Sequence, residues 1–335
     1  MVRTRIVCIS DTHSYSPADA AFKLPKGDVL IHAGDLTKHG TQAELRRTVE
    51  WIEKADFEAK IIIAGNHDIT LDRAFYSANG ASIHESHSQS PEDVNACIDL
   101  LKNNPAFIYL EHESATIRLT KPIGPKTMFK VFGSPYIPSS SRKMNAFSYA
   151  PDDADAVWAE IPLDADIVVT HGPARMHRDY VEKKGNVGCE ALRNALWRVR
   201  PRLAVCGHVH ESRGAERVRW NLAAASQEVE TKEWLLPPRG SKKQCLVAVA
   251  GGKGVVLDND GRRDVVGSEE MLPASPIDSE TSYEIDVDGA PKGRNETCVV
   301  NACVLANSFP YPGGKKFNAP IMVDLDLPLS DGLGN

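Results

Sequence analysis

The chain has 335 residues, 42% of them hydrophobic and 25% charged, and a net charge of −6. This is ordinary globular composition with enough apolar residues for a substantial core, and the acidic balance argues against a general nucleic-acid binder, which needs a basic face. No apolar run approaches the roughly 20 residues that span a bilayer, and the seven cysteines are odd in number without a CxxC pair, so a cytoplasmic protein with no membrane partner is expected.

The first predicted strand begins at once, which on this reading leaves no room for a signal peptide: Arg5-Ile-Val-Cys-Ile-Ser10 runs straight into Asp11-Thr-His13. A second strand, Asp28 to Gly34, ends in Asp35. Thr41 to Ala55 then places Leu45, Val49 and Ile52 at helical spacing behind Thr41, a suitable N-cap. A third strand, Lys60 to Gly65, ends in Asn66-His67-Asp68. Residues 77–92 are rich in Ser, Asn and His and read as a surface insertion, with His84 and His87 in an exposed loop. A fourth strand, Asp166 to Thr170, ends in His171-Gly-Pro173, and Val187 to Val199 is helical before Pro201. The fifth, Leu203 to Gly207, ends in His208-Val-His210. Seven arginines between Arg193 and Arg219 read as a solvated face rather than a substrate-steering patch. Residues 226–296, rich in Gly, Pro and charge, are a second expected surface insertion.

Alternating strands and helices imply a layered α/β fold, in which strand carboxyl ends converge on the ligand site. One histidine at a strand end would be a packing residue more often than a ligand. Five strand ends in succession, each bearing Asp, Asn or His, are not explained by packing. His32, inside an apolar strand, is read as a core or supporting histidine. Seven side chains are therefore candidate ligands: Asp11, His13, Asp35, Asn66, His171, His208 and His210. They offer carboxylate, amide and imidazole without thiolate, which suits Mn, Mg, Fe, Zn or Ni. Seven exceed one four-coordinate site and suit two divalent metal ions sharing a carboxylate, with a hydroxide held between them. His67 is placed to protonate a leaving oxygen, with Asp68 orienting its ring.

Asp11-x-His13, Gly34-Asp35, Gly65-Asn-His-Asp68, His171 and Gly207-His-x-His210 resemble, in order and spacing, the five signatures of the calcineurin-like metallophosphoesterase superfamily. The resemblance implies a four-layer α-β-β-α sandwich of two mixed sheets flanked by helices, as a single domain over 1–330. It also implies one metal, with Mn preferred, on Asp11, His13, Asp35 and His210. A second would sit on Asp35, Asn66, His171 and His208, with His67 as general acid. Val131-Phe-Gly-Ser-Pro-Tyr136, Thr170-His-Gly-Pro173 and Asn301-Ala-Cys303 are similar to the metallophosphoesterase-domain-containing branch related to a fetal-brain protein, which points to a phosphodiesterase. Small nucleotide-type diesters, a cyclic nucleotide among them, are the expected substrates. A phosphomonoesterase of the same fold is the alternative, and a weakly active binding or scaffold protein the third. Asp35 is not followed by the Asp-Arg-Gly of Ser/Thr protein phosphatases, nor by the iron-binding Tyr of purple acid phosphatases. Cys298 to Leu305 and Ala319 to Leu327 are predicted to close the second sheet.

Overall fold

Runs of Val and Ile buried on both faces build the centre of the molecule, because β-branched side chains pack well on a pleated surface and strands buried on both sides need no polar alternation. The structure, a computed structural model, describes residues 1–19, 21–139, 145–221, 229–238, 240–241, 243–251, 255–259, 293–307 and 314–330. In chain order the strands of the two large sheets are β1 (Val2–Ile9), β2 (Val29–Ala33), β3 (Ala59–Ile63), β4 (Ile108–Leu110), β5 (Glu113–Arg118), β6 (Met128–Ser134) and β7 (Ile167–Thr170). They continue with β8 (Leu203–Cys206), β9 (Gly214–Trp220), β10 (Val229–Glu233), β11 (Cys245–Ala248), β12 (Glu296–Asn301) and β13 (Ile321–Leu327). The helices used below are α1 (Gln42–Lys54), α2 (Ala81–Ser86), α3 (Val94–Lys102), α4 (Ala154–Ala159) and α5 (Glu190–Val199).

The first sheet has the order β11-β13-β1-β2-β3-β4 and the second β10-β9-β12-β8-β7-β6-β5. Both are mixed. β1 to β4 run parallel while β13 runs antiparallel to β1; in the second sheet β6, β7, β8 and β12 run parallel, with β5 and β9 antiparallel at the flanks. Alternate side chains decide the layers. Ile6, Cys8, Ile31 and Ile63 face Val131, Val169, Val205 and Val300 in the core between the sheets. Val7, Ile9, Leu30 and Ile62 face outward onto Leu45, Val49 and Ile52 of α1 and Cys97, Ile98 and Leu101 of α3. On the far side, Phe132, Val168, Ala204 and Val299 meet Trp158 of α4 and Leu192, Leu196 and Val199 of α5. The result is the four-layer α-β-β-α sandwich.

Local sequence sets the helix ends. Thr41 caps α1 in a full capping box with Glu44. Cys189 caps α5, which stops at Arg200 in a left-handed conformation before Pro201. No helix among the described residues is long and apolar enough to cross a membrane.

Four expectations need correction. β13 joins the first sheet beside β1, and only β12 closes the second. Residues 226–296 are not simply a surface excursion: β10 and β11 are the edge strands of the two sheets, and Cys245, Val247, Val249 and Leu257 lie in the inter-sheet core. Positions 260–292 of that segment lie outside the described residues. His84 is in a helix and fully buried, not in an exposed loop, whereas His87 is exposed. The arginines between 193 and 219 do not form a solvated face, since Arg200 and Arg202 are buried. Arg213 donates to the Ala319 carbonyl, Arg217 pairs with Glu296 and Arg219 with Asp258.

The edge strand β11 gives a direct test, because Val247 is fully buried and its neighbour Leu246 is 43% exposed. Val247→Ala is expected to lower stability to urea by about 2 kcal/mol, and Leu246→Ala by less than about 0.5 kcal/mol. Equal effects would show that β11 does not close the core.

Candidate metal centre

The strand ends of the two sheets meet at one place, and the backbone there is forced out of ordinary conformations. Asp11 follows β1, Asp35 follows β2, and His208 follows β8; their φ values are 54°, 54° and 64°, and that of His13 is 44°. Such left-handed residues cost on the order of 1–3 kcal/mol each and persist only where the surroundings fix them. Here a ladder of backbone bonds fixes them: Asp11 N–H donates to the Gly34 carbonyl (2.9 Å), His13 N–H to Asp35 (3.0 Å) and Ser14 N–H to Leu36 (2.8 Å). Gly34 allows the approach. It has φ 94°, and a Cβ there would lie 2.5 Å from His171 Nδ1 and 2.6 Å from the Ala64 carbonyl oxygen.

The structure brings Asp11, His13, Asp35, Asn66, His171, His208 and His210 together. Three histidines have Nδ1 against a backbone carbonyl: His13 against Thr37 (3.1 Å), His171 against Ala33 (2.9 Å) and His210 against Asn307 (3.4 Å). A carbonyl only accepts, so each Nδ1 carries a hydrogen, and Nε2 is the nitrogen that, once bare, presents a lone pair to the centre. His13 Nε2 lies 3.5 Å from His210 Nε2 and 3.8 Å from Asp35 Oδ2. His210 Nε2 lies 3.1 Å from Asp11 Oδ1. His171 Nε2 lies 3.1 Å from Asn66 Oδ1 and 3.3 Å from Asp35 Oδ1. His208 packs its ring edge-on against His171, with centroids 5.1 Å apart. Lone pairs aimed at one another in a buried space repel unless protons or cations lie between them. The donor set thus fits divalent metal ions. Asp11, His13 and His210, then His13, Asp35 and His67, and then Asp11, Asp35 and His171 form overlapping groups whose ligand atoms lie within 4.8 Å of one another.

The electrostatics fit the same reading. Burial lowers His13 and His208 to about 4, so both are neutral near pH 7. Burial also opposes charge on His171, but Asp35 and Asp11 outweigh it and raise this group to about 9. Asp35 is held below the usual carboxylate range: burial works against this, and His171 and His67 overcome it.

His67 lies exposed at the rim, its ring 4.8 Å from that of His13. Its Nδ1 donates to the Lys38 carbonyl (2.8 Å), and its backbone N–H donates to Asp35 Oδ1 (2.9 Å). The expected partner Asp68 does not orient this ring. Asp68 is fully buried and accepts from Leu36 N (3.1 Å), Thr37 N (2.8 Å), Thr37 Oγ1 (2.7 Å) and Gly65 N (2.8 Å). The turn after β3 sends its carboxylate inward, where it ties the loop after Asp35 to the loop carrying Asn66. Burial and the nearby Asp35 raise it to about 6, with those hydrogen bonds opposing.

Three supporting residues carry no ligand signal in the sequence. Cys303 places Sγ 3.1 Å from Asp11 Oδ2. Asn301 donates to the Val209 carbonyl (2.9 Å), holding the His208–His210 turn. Thr12 Oγ1 pairs with His32 Nε2 (2.8 Å), so His32 is a supporting histidine beneath Asp11. Only the Asn-Ala-Cys triplet hinted at the first two.

The family model for calcineurin-like phosphoesterases matches residues 4–212, a span that includes every candidate ligand. The chain is 37% identical over 220 residues to metallophosphoesterase domain-containing protein 1 of Homo sapiens, covering 63% of this chain and 62% of that protein. It is 40% identical over 238 residues to a probable rhamnogalacturonate lyase C of Emericella nidulans, covering 69% of this chain and 20% of that protein. The chain thus spans a fifth of the length of the second and under two thirds of the first. Among solved structures, TT1561 of Thermus thermophilus aligns with a TM-score of 0.38 and 12% identity over 70% of this chain and 99% of that one.

The raised His171 gives a pH prediction with a definite sign. Below about 9 the metal-free ring is protonated, and a ligand nitrogen must be bare. Metal binding at pH 7 is therefore expected to release at least one proton. Apparent affinity should rise about tenfold per pH unit toward 9 and then level. Calorimetry in two buffers of different ionisation heat measures the proton count, and a count of zero would contradict the assignment of His171.

Proposed function

Because the chain belongs to the calcineurin-like phosphoesterase family, we propose that it is a dinuclear metal-dependent phosphoesterase that prefers small nucleotide-type diesters. The observation that carries this reading is the set of Nε2 lone pairs, two carboxylates and one amide oxygen converging at the strand ends. Asp11, His13, Asp35 and His210 would hold one ion and Asp35, Asn66, His171 and His208 the other, with Mn favoured among Mg, Fe, Zn and Ni. Bound there, the ions supply an acidified water and positive charge opposite the phosphoryl oxygens.

The protein's own residues do the rest. Thr37, Ala33 and Asn307 carbonyls fix the histidine tautomers, and Asp68 fixes the loops on either side of Asp35. His67, with Nδ1 held by Lys38, turns Nε2 outward, where it protonates the leaving oxygen as the P–O bond breaks. The preference for diesters rests on the resemblance of Val131-Phe-Gly-Ser-Pro-Tyr136, Thr170-His-Gly-Pro173 and Asn301-Ala-Cys303 to the metallophosphoesterase-domain-containing branch. All seven cysteines are free and buried, which supports a reducing, cytoplasmic setting.

Metal analysis after Mn saturation is expected to give two ions per chain, and His208→Ala should lose one of them selectively. His67→Ala should keep both ions and lose about 10²–10⁴-fold in turnover of an alkyl or nucleoside diester. The loss on a nitrophenyl ester, whose leaving group needs little protonation, should be much smaller. Loss of an ion from His67→Ala would instead make His67 a ligand alongside His13 and Asp35.

A further inference from the structure

The Lys38 carbonyl that holds His67 belongs to a short loop whose successive carbonyls are all occupied. Lys38 accepts from His67 Nδ1 (2.8 Å), His39 from His84 Nε2 (2.9 Å) and Gly40 from Thr70 Oγ1 (2.7 Å). Its N–H groups are tied as well, Thr37 N to Asp68 (2.8 Å) and His39 N to Glu44 of α1 (2.9 Å). Of these anchors, His84 comes from the segment that reads in sequence as a polar insertion.

That segment is built to aim His84. Residues Tyr76–Gly80 form a single π-helical turn that continues into α2, a device often found near functional sites. A Cβ at Gly80 would overlap the Tyr76 ring, so glycine lets the ring lie flat on the helix. Glu92 N–H donates to Tyr76 Oη (2.7 Å), and Tyr76 O–H then donates to His84 Nδ1 (3.0 Å). That leaves the His84 hydrogen on Nε2, where it donates to His39. The chain of bonds has one consistent direction, and both side chains are buried, His84 completely.

We propose that His84, set by Tyr76, is a positioning residue for His67: by holding the His39 carbonyl it fixes the peptide that follows the Lys38–His39 one, and with it the direction of the Lys38 carbonyl that keeps a hydrogen on His67 Nδ1 and leaves Nε2 as the nitrogen that carries the transferred proton. This rests on the reading of His67 as the general acid. The charged ring gives up one proton; with Nδ1–H held by the Lys38 carbonyl that proton is the one on Nε2, whereas an unheld ring could turn away or lose the Nδ1 proton instead. Release of the His39 carbonyl thus lowers turnover through its neighbour Lys38, without touching a metal ligand.

The test uses His84→Phe, which removes both ring nitrogens, His84→Gln, whose amide N–H can reach the His39 carbonyl, and Tyr76→Phe, which removes one oxygen. With both metals retained, His84→Phe is expected to lose about 10- to 100-fold on an alkyl or nucleoside diester. On a nitrophenyl ester it should lose under about threefold, and His84→Gln should recover most of the difference. In nitrogen-15 spectra of the Mg-loaded protein, the Nδ1–H signature of His67, assigned by its absence in His67→Ala, should be lost in His84→Phe and kept in His84→Gln. Equal losses on both esters, or an unchanged His67 signature, would overturn the proposal. If His84→Phe does not fold, Tyr76→Phe decides by the same two readouts. Should His67→Ala show no dependence on the leaving group, the general-acid reading falls, while the spectra still decide whether His84 fixes the ring.

Discussion

The carboxylate of Asp11 is the point on which the two sheets are fixed to each other. It sits at the end of β1 in the first sheet, fully buried, and accepts from His208 N–H at 3.0 Å, with His210 Nε2 3.1 Å away, both on the loop after β8 in the second. Cys303 reaches its other side from the segment after β12. A buried carboxylate left without such partners would cost several kcal/mol, so the sheets can approach only where these donors are in place. The glycine before Asp35, where a Cβ would meet His171, and the tautomer of His171, set by the Ala33 carbonyl across the gap, follow from that approach.

Much of this was legible in the sequence because the strands are buried on both faces. Arg5 to Ser10 or Lys60 to Gly65 can be read as strands from composition alone, and a polar residue directly after such a run stands at the sheet edge. The edge strands were harder to see. β11 is itself a short apolar run, Cys245 to Ala248, but it lies within 226–296, where Gly, Pro and charge dominate the composition and hide it. His84 was misread for a related reason: its helix buries only His84 among Ala, Ser, Ile and Glu, and periodicity of apolar residues cannot find it.

Asp68 shows a different limit. Adjacent residues in a turn point in different directions, and nearness to His67 in sequence said nothing about which carboxylate face meets which donor. Its donors come from Leu36 and Thr37, far earlier in the chain, and from Gly65. The arginines after α5 teach the same lesson about charge. Arg202 joins Arg294 on Asp166, and Arg217 meets Glu296, so a basic run in sequence became largely buried pairs across the second sheet. Removing one partner of such a pair typically costs about 3–5 kcal/mol, because the other stays buried and uncompensated.

The pairing of β1 with β13 sets the order in which the centre can come into being. Val2 lies opposite Leu327, and Cys8 opposite Ile321. During synthesis β1, with Asp11 and His13 at its end, emerges long before β13, so one of its two edges stays bare while the intervening chain is made. Non-local pairing of this kind closes slowly and leaves an open hydrogen-bonding edge exposed in the meantime. The edge of β1, whose end carries Asp11 and His13, is therefore completed only once the whole span from β1 to β13 is available.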